Sequence, residues 1–374
     1  MFNAKYRTWI EVSRKNIKFN VRNVLEAVPK SVMYMGVVKG NAWGLGTVEY
    51  ASTLLSIGAD WIGVTLLEDA VAIRKEFKDC PILLLMEPPG QAVDVALKHG
   101  IRLTVCTMEM ACRISEVAKN LDIEAKVHVK INTGLNRIGV GATDAVNLMQ
   151  EIGRLPYLFL EGAYTHFSSA DQNEKKSLTH HQLNLFLNTI ATYESTGQAR
   201  PLLHAANSPA TIDDPETYLD MVRPGMSVAG LYPREDYTYK VHLRSPLTWK
   251  TIVSYVRLIR AGDVVGYGGR FACKQDTWIA TIPVGTADGL GKRFENKGYV
   301  LIQGTRCLVV AVTMDQAMVA FENGLQVHLG DEVVIVGRQG SDYLGPHDIS
   351  RMTSYNVEEF VCQISERIPR MYVD

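Results

Sequence analysis

The chain has 374 residues, 47% hydrophobic and 21% charged, with 39 Lys and Arg against 40 Asp and Glu. That is ordinary globular composition, enough for two or three domains or one barrel plus an addition. A net charge of −1 leaves no chain-wide electrostatic footprint for nucleic acid or an anionic membrane.

The opening MFNAKYRTWIEVSRKNIKFN lacks the apolar core of about 7–15 residues that marks a secretory signal. No apolar run nears the ~20 residues of a membrane span. The six cysteines are scattered, with no C-x-x-C pair, and read as reduced thiols of a cytoplasmic protein. An intracellular enzyme is the leading class.

In chain order, 7–12 reads as a short strand whose partner the pattern does not assign. Continuous apolar, β-rich runs then fall at 33–38, 61–65, 81–86, 101–105, 124–131, 157–165, 202–206 and 220–223. Between them, stretches such as 68–77, 91–99 and 107–119 repeat apolar residues every three or four positions. Eight such runs with intervening helices match a (β/α)8 barrel, and apolar strands suit a parallel sheet covered by helices. A doubly wound open sheet gives a similar pattern. Beyond about residue 243 the texture changes to alternating or β-branched segments at 251–259, 277–284, 299–312 and 332–336, divided by Gly-rich turns. These predict an all-β domain. The expected division is 1–12 as an N-terminal strand packing with the β domain, 13–243 as the barrel, and 244–374 as the β domain.

Functional residues of a barrel gather where its strands end. That rule selects Lys39 in VVKGNAWGLG, Arg137 in KINTGLNRIGVG, His166 in YTHFSS, His204, Asn207 and Ser208 in LHAANSPA, and Arg223 and Gly225 in VRPGM. Each also has a plain reading: a solvated lysine, structural histidines, Ser208 as a helix cap, Arg-Pro-Gly as a turn. Together they say more. Loops after the seventh and eighth strands are a recurrent phosphate site, which suits Ser208, Gly225 and Met226. A phosphate site beside a strand-end lysine points to pyridoxal 5'-phosphate held as a Schiff base. GTADGLGKR is not a phosphate loop, because it lacks G-x-x-x-x-G-K-[ST]. His180 and His181 lack a partner at metal-ligand spacing, so no metal is expected.

These residues resemble a known family. VVKGNAWGLG is similar to the cofactor-lysine motif of the alanine racemases, and KINTGLNRIGVG to their K-x-D-T-G-M-x-R-x-G segment. YTHFSSAD, HAANSPA, VRPGM, GYGGRF, PVGTADG, VTMDQ and ISERIPRMY resemble further family blocks in the same order. The resemblance implies a barrel and a β domain working as a head-to-tail homodimer with shared active sites and a small amino acid as substrate. It implies that Lys39 carries the cofactor and serves one face of the substrate Cα, and that Tyr267 of the partner subunit serves the other. His166 would hydrogen-bond that tyrosine and Arg223, and Arg223 would face the pyridine nitrogen. Arg137 and the Met314 backbone would hold the substrate carboxylate, with Lys130 at a position often carbamylated. Trp43, His204, Ser208, Gly225 and Met226 complete the expected cofactor site.

The chain departs from the family at five positions. Trp43 replaces a phosphate-binding tyrosine, Leu45 a histidine, Asn132 an aspartate, and Thr286 and Glu366 two tyrosines of the substrate entry. The last two are specificity candidates. With alanine as the leading substrate, a wider entry would admit serine, and Glu366 would favour lysine or ornithine. The competing classes are a barrel pyridoxal lyase or decarboxylase, opposed by Arg223, and a non-catalytic pyridoxal-binding protein, opposed by the long β domain.

Overall fold

The computed structural model describes residues 6–374. Residues 1–5 of the expected N-terminal segment lie outside the described residues. The first strand, β1 (Thr8–Ser13), is followed by β2 (Met33–Val38), β3 (Trp61–Val64), β4 (Ile82–Leu84), β5 (Arg102–Val105), β6 (Ala125–Asn132), β7 (Val140–Gly141), β8 (Leu158–Tyr164), β9 (Leu202–His204) and β10 (Met221–Val222). Strands β2, β3, β4, β5, β6, β8, β9 and β10 pair in parallel in that order, and the pair Met221↔Met33 closes the ring. The apolar runs thus form a closed eight-stranded barrel, and the open sheet is set aside. The short β7 lies outside the ring, paired only with β6.

Helices cover the barrel for reasons visible in their sequences. Helix Ala142–Arg154 buries Ala145, Leu148, Met149 and Ile152, spaced to line one face. Ser13 and Thr107 cap helices Arg14–Val24 and Met108–Leu121, each side chain accepting a backbone N–H of the first turn.

The second unit adds β11 (Leu247–Ile252), β12 (Tyr255–Ile259), β13 (Val264–Val265), β14 (Phe271–Ala272), β15 (Thr277–Ile282), β16 (Tyr299–Ile302), β17 (Thr305–Val312), β18 (Ala317–Phe321), β19 (Glu332–Gln339), β20 (Asp342–Leu344) and β21 (Arg370–Val373). Most form one sheet in the order β12-β15-β18-β17-β16-β19-β11-β1-β21, while β13 and β14 make a separate two-stranded ribbon. Strand β1 joins this sheet, antiparallel to β11 and parallel to β21.

The segments expected at 251–259 and 299–312 each divide in two. Between β16 and β17, Gln303 (φ +52°) and Gly304 (φ +77°) make a two-residue hairpin turn with both central residues left-handed, the geometry that matches strand twist. Its sequence lacks the Asn-Gly or Asp-Gly that would announce it. The unit is also not purely β. Helices Pro346–Thr353 and Val357–Cys362 follow β20, and the second packs on the turn after β2, where the ideal Cβ of Gly40 would stand 3.0 Å from Cys362 Sγ.

Candidate active site

Lys39 follows β2 directly. The next five residues, Gly40 to Gly44, all have φ between +50° and +80°, a left-handed turn that costs non-glycine residues roughly 1–2 kcal/mol each. Asn41, Ala42 and Trp43 adopt it because the C-terminal segment holds it. Arg370 donates to the Gly44 carbonyl, and the Tyr372 hydroxyl to the carbonyls of Leu45 and Gly46. The ideal Cβ of Gly44 would stand 2.5 Å from the Val361 carbonyl oxygen. The turn leaves the Lys39 side chain exposed, with its Nζ 5.8 Å from the Trp43 ring centroid.

Arg223, just past β10, is 4% exposed. Its Nη1 donates to His204 Nδ1 (3.0 Å), and its Nη2 to the carbonyls of Thr165 (2.8 Å) and Ala205 (3.1 Å). His166 Nδ1 lies 3.5 Å from the same Nη2. The Arg223 Nε–H and its second Nη1–H have no acceptor among the described residues. The guanidinium lies 5.3 Å from the Tyr164 ring centroid, and Lys130 Nζ shares that ring at the same distance. Sequence reasoning missed Tyr164. An aromatic one residue before the end of an apolar run was its only signal.

Cations dominate the mouth. Lys130 and Arg223 are buried, Lys39 and Arg137 exposed, and none of the four has a carboxylate partner among the described residues. Buried charges are ordinarily paired, so the mouth is built for an anion. Burial first, then Arg137 and Arg223, draws the Lys130 ammonium down to about 8. Burial lowers Arg223 to about 10. Burial, then Arg223, Arg137, Lys130 and Lys39, holds His166 well below the ordinary histidine range, so it is neutral at pH 7.

At the ends of β9 and β10, Ser208 does not cap the following helix. Asn207 does, its side chain accepting from the Ala210 N–H. Ser208 Oγ instead accepts from the backbone N–H of Gly225 (2.9 Å) and Ser227 (3.4 Å). The Ser208 hydroxyl proton, the Met226 N–H and the Trp43 indole N–H have no acceptor among the described residues. Three leftover donors at one corner of a cationic mouth fit a phosphate group. Asn132 organises the loop after β6, its Oδ1 accepting from the N–H of Gly134 and Asn136. An aspartate would accept the same bonds.

His204 does not line the mouth. It is fully buried behind Arg223 and stacked on Tyr164 at 4.7 Å. Tyr267 and Met314 are 83% and 67% exposed on the β domain. Tyr267 crowns the ribbon of β13 and β14, a loop that Gly266, Gly268 and Gly269 let turn with positive φ. Thr286 lies in a turn tied to the Met314 loop, its N–H and hydroxyl bonding the Thr313 carbonyl. Glu366 is exposed just beyond the helix that covers the Lys39 turn. Asp69, whose Oδ1 accepts from Thr47, is raised by burial and by Glu366 and Glu68. His180 binds Asp214 at 2.7 Å, and no group of three or more metal-binding side chains occurs among the described residues.

The chain matches the family models "Alanine racemase, N-terminal domain" over residues 12–233 and "Alanine racemase, C-terminal domain" over 246–372. It is 38% identical to the alanine racemase of Symbiobacterium thermophilum, covering 98% of this chain and 97% of that one. It is 34% identical to that of Methanococcus maripaludis, covering 98% of each. Among solved structures, the alanine racemase of Clostridium difficile superposes with a TM-score of 0.94 at 32% identity, over 99% of this chain and 97% of that one. That of Bacillus anthracis, with bound L-Ala-P, superposes with a TM-score of 0.92 at 31% identity, over 100% and 96%.

Proposed function

The chain belongs to the alanine racemase family, and we propose that it interconverts L- and D-alanine with pyridoxal 5'-phosphate, as a homodimer with shared sites. The observation that carries this reading is Arg223. It is a buried cation locked by three protein acceptors, with two N–H groups left over, on Nε and Nη1, and no carboxylate beside it.

The cofactor, when bound, supplies an electron sink that acidifies the substrate Cα–H. Lys39 would hold its aldehyde carbon, and Ser208, Gly225, Met226 and Trp43 its phosphate. Arg223 would face the ring nitrogen and disfavour protonation there, since two positive charges would adjoin. That placement of Arg223 would favour return of the proton to Cα over transamination. A decarboxylase would set a carboxylate at that nitrogen.

Inversion needs a base on one face of Cα and an acid on the other. Lys39 Nζ serves one face. Tyr267 of the partner subunit serves the other, with its hydroxyl oriented by the neutral His166. Arg137 and the Met314 backbone N–H hold the substrate carboxylate, and Lys130 backs Arg137. Exposed Tyr267 and Met314 support the dimer, since neither has a role on its own barrel. Free thiols at all six cysteines support a cytoplasmic site of action.

The test is incubation of the purified chain with pyridoxal phosphate and single L-amino acids in heavy water, followed by chiral chromatography and mass spectrometry. D-alanine carrying α-deuterium is the expected product. Exchange with no amino acid despite bound cofactor, or release of carbon dioxide or aldehyde, overturns the reading.

One observation favours a second substrate. The Glu366 carboxylate adds to burial in raising the Asp69 carboxyl, and Thr286 lacks aromatic bulk. A cationic side chain would relieve that repulsion, so kcat/KM for L-lysine or L-ornithine above that for L-alanine would make Thr286 and Glu366 the specificity residues. Serine preference would point to entry width alone.

A further inference from the structure

A hydrogen-bonded chain crosses the barrel from its mouth to its opposite end. Arg223 Nη1 meets His204 Nδ1 at 3.0 Å, His204 Nε2 meets His128 Nδ1 at 2.9 Å, and His128 Nε2 meets Glu161 Oε2 at 3.3 Å. Glu161 ends the chain in a cluster with Arg102 (3.1 Å), the first residue of β5, and Lys126 (3.4 Å), near the start of β6. Both imidazoles are fully buried.

Two local features are shaped for this chain. Val127 pairs with Leu160 and His128 with Gly162, so Glu161 is the extra residue of a β-bulge, a device that re-aims a side chain. Gly162 has no positive φ to explain it, yet a Cβ there would stand 2.3 Å from His128 Nδ1. The glycine makes room for the ring.

The direction of every bond is fixed from both ends. A guanidinium only donates, so His204 Nδ1 accepts and its proton is on Nε2. That proton goes to His128 Nδ1, which leaves the His128 proton on Nε2, donated to a carboxylate that only accepts. Burial lowers both histidines. Arg223 and His128 lower His204 further, while for His128 the Glu161 contacts oppose burial and Arg102 and Arg223 add to it. Both rings are therefore neutral. Burial would raise the Glu161 carboxyl, but His128 and Arg102 outweigh it and hold it at about 2.

We propose that Glu161 is a positioning residue for Arg223, acting through His128 and His204: it sets both imidazoles as Nε2–H tautomers, so that His204 Nδ1 is a fixed acceptor for the guanidinium. Without it, His128 is free to carry its proton on Nδ1. His204 must then turn its own proton toward Arg223, and donor meets donor. The functional half of this inference rests on the role of Arg223 proposed above, and the tautomer half does not.

The test is ¹⁵N NMR of the ring nitrogens in histidine-labelled holoenzyme, with steady-state kinetics on alanine. In the parent protein, His128 and His204 are expected to be neutral Nε2–H tautomers from pH 6 to 9. Their facing groups over that range are Glu161, Arg102, Arg223, Tyr164, Trp61 and each other. Glu161→Met should give mixed tautomers at both rings and lower kcat about tenfold with KM little changed, the scale typical of lost outer-shell partners. Lys126→Met, in the same cluster but outside the chain, should change neither. If Glu161→Met fails to fold, Gly162→Ala, which displaces the His128 ring, must give the same result. Unaltered tautomers in Glu161→Met, altered tautomers with unaltered kcat, or an Nδ1–H or charged His204 in the parent protein each overturn the proposal. A parent protein inert on alanine but with the expected tautomers would refute the racemase reading alone.

Discussion

Trp43 and Gly225 touch across the phosphate corner: a Cβ on residue 225 would stand 2.6 Å from Trp43 Cη2. Gly225 has no positive φ, so the requirement there is space. It comes from the large indole, placed by the left-handed turn after Lys39. Gly225→Ala should therefore cost about 1–3 kcal/mol as overpacking, read in a spectroscopic titration as cofactor affinity weakened about tenfold. Trp43→Tyr, which removes the clashing carbon, should restore affinity in the double variant. Unchanged affinity in Gly225→Ala would mean that the indole swings aside without cost.

Shared sites have a complementation signature. Lys39→Ala and Tyr267→Phe homodimers should each be nearly inactive. A mixed dimer keeps one intact site, formed by the Lys39 barrel of one subunit and Tyr267 of the other. Refolding an equal mixture should yield about half mixed dimers with one good site in two, hence about a quarter of parental activity. Activity no higher than the two homodimers would place both residues in one subunit's site.

Lys130 is poised for reaction with carbon dioxide. Its folded value of about 8 lies below the ordinary 10.5 because burial and the neighbouring arginines disfavour the charged form. Neutral amine therefore grows as pH rises through 8, and that is the form that attacks carbon dioxide, releasing one proton. With ¹³C-bicarbonate, a carbamate resonance should grow between pH 7 and 9 and vanish in Lys130→Ala. Its absence throughout would leave Lys130 as a plain amine behind Arg137.

Asp288 is the buried knot behind the Thr286 and Glu366 segments. Its carboxylate, 0% exposed, accepts from Arg7 (2.7 Å), Arg367 (2.8 Å) and the Gly285 N–H (3.0 Å). Burial would raise it, but these donors outweigh burial and hold it below the usual range. A depressed carboxylate stabilises the fold above its unfolded value and loses that contribution as pH falls through the folded one. Asp288→Asn should cost about 2 kcal/mol at pH 7, since the arginines are partly exposed. The gap to the parent in urea midpoints should shrink below about pH 4, where the unfolded aspartate protonates. A gap constant with pH would mean that packing carries the difference.

The barrel was legible in the sequence because a helix-covered parallel strand is apolar on both faces. The runs at 33–38 and 101–105 stand out between turns for that reason. Lys39, His166 and Arg223 were legible because strand ends form the mouth of a barrel. The family blocks carried the rest of the expected site, down to Tyr267 and Met314, whose exposure on a single chain suits residues offered to a partner.

What tertiary structure alone decided depends on neighbours distant in sequence. The left-handed run from Gly40 to Gly44 includes three non-glycine residues and is anchored at its end, where Arg370 holds the Gly44 carbonyl and Tyr372 those of Leu45 and Gly46 just beyond. Gly40, Asn41 and Gly44 favour that conformation locally, but Ala42 and Trp43 do not. His204 reads as a mouth residue by position, yet it lies behind Arg223, because β9 is short and its last side chain turns inward onto Tyr164. Glu161 reads as one polar residue in an apolar strand. Only the bulge opposite Val127 and His128 aims it into the barrel, and a register shift is a property of two paired strands. Periodicity records what one segment buries. Which buried groups meet is set by pairing and closure, which a linear pattern does not contain.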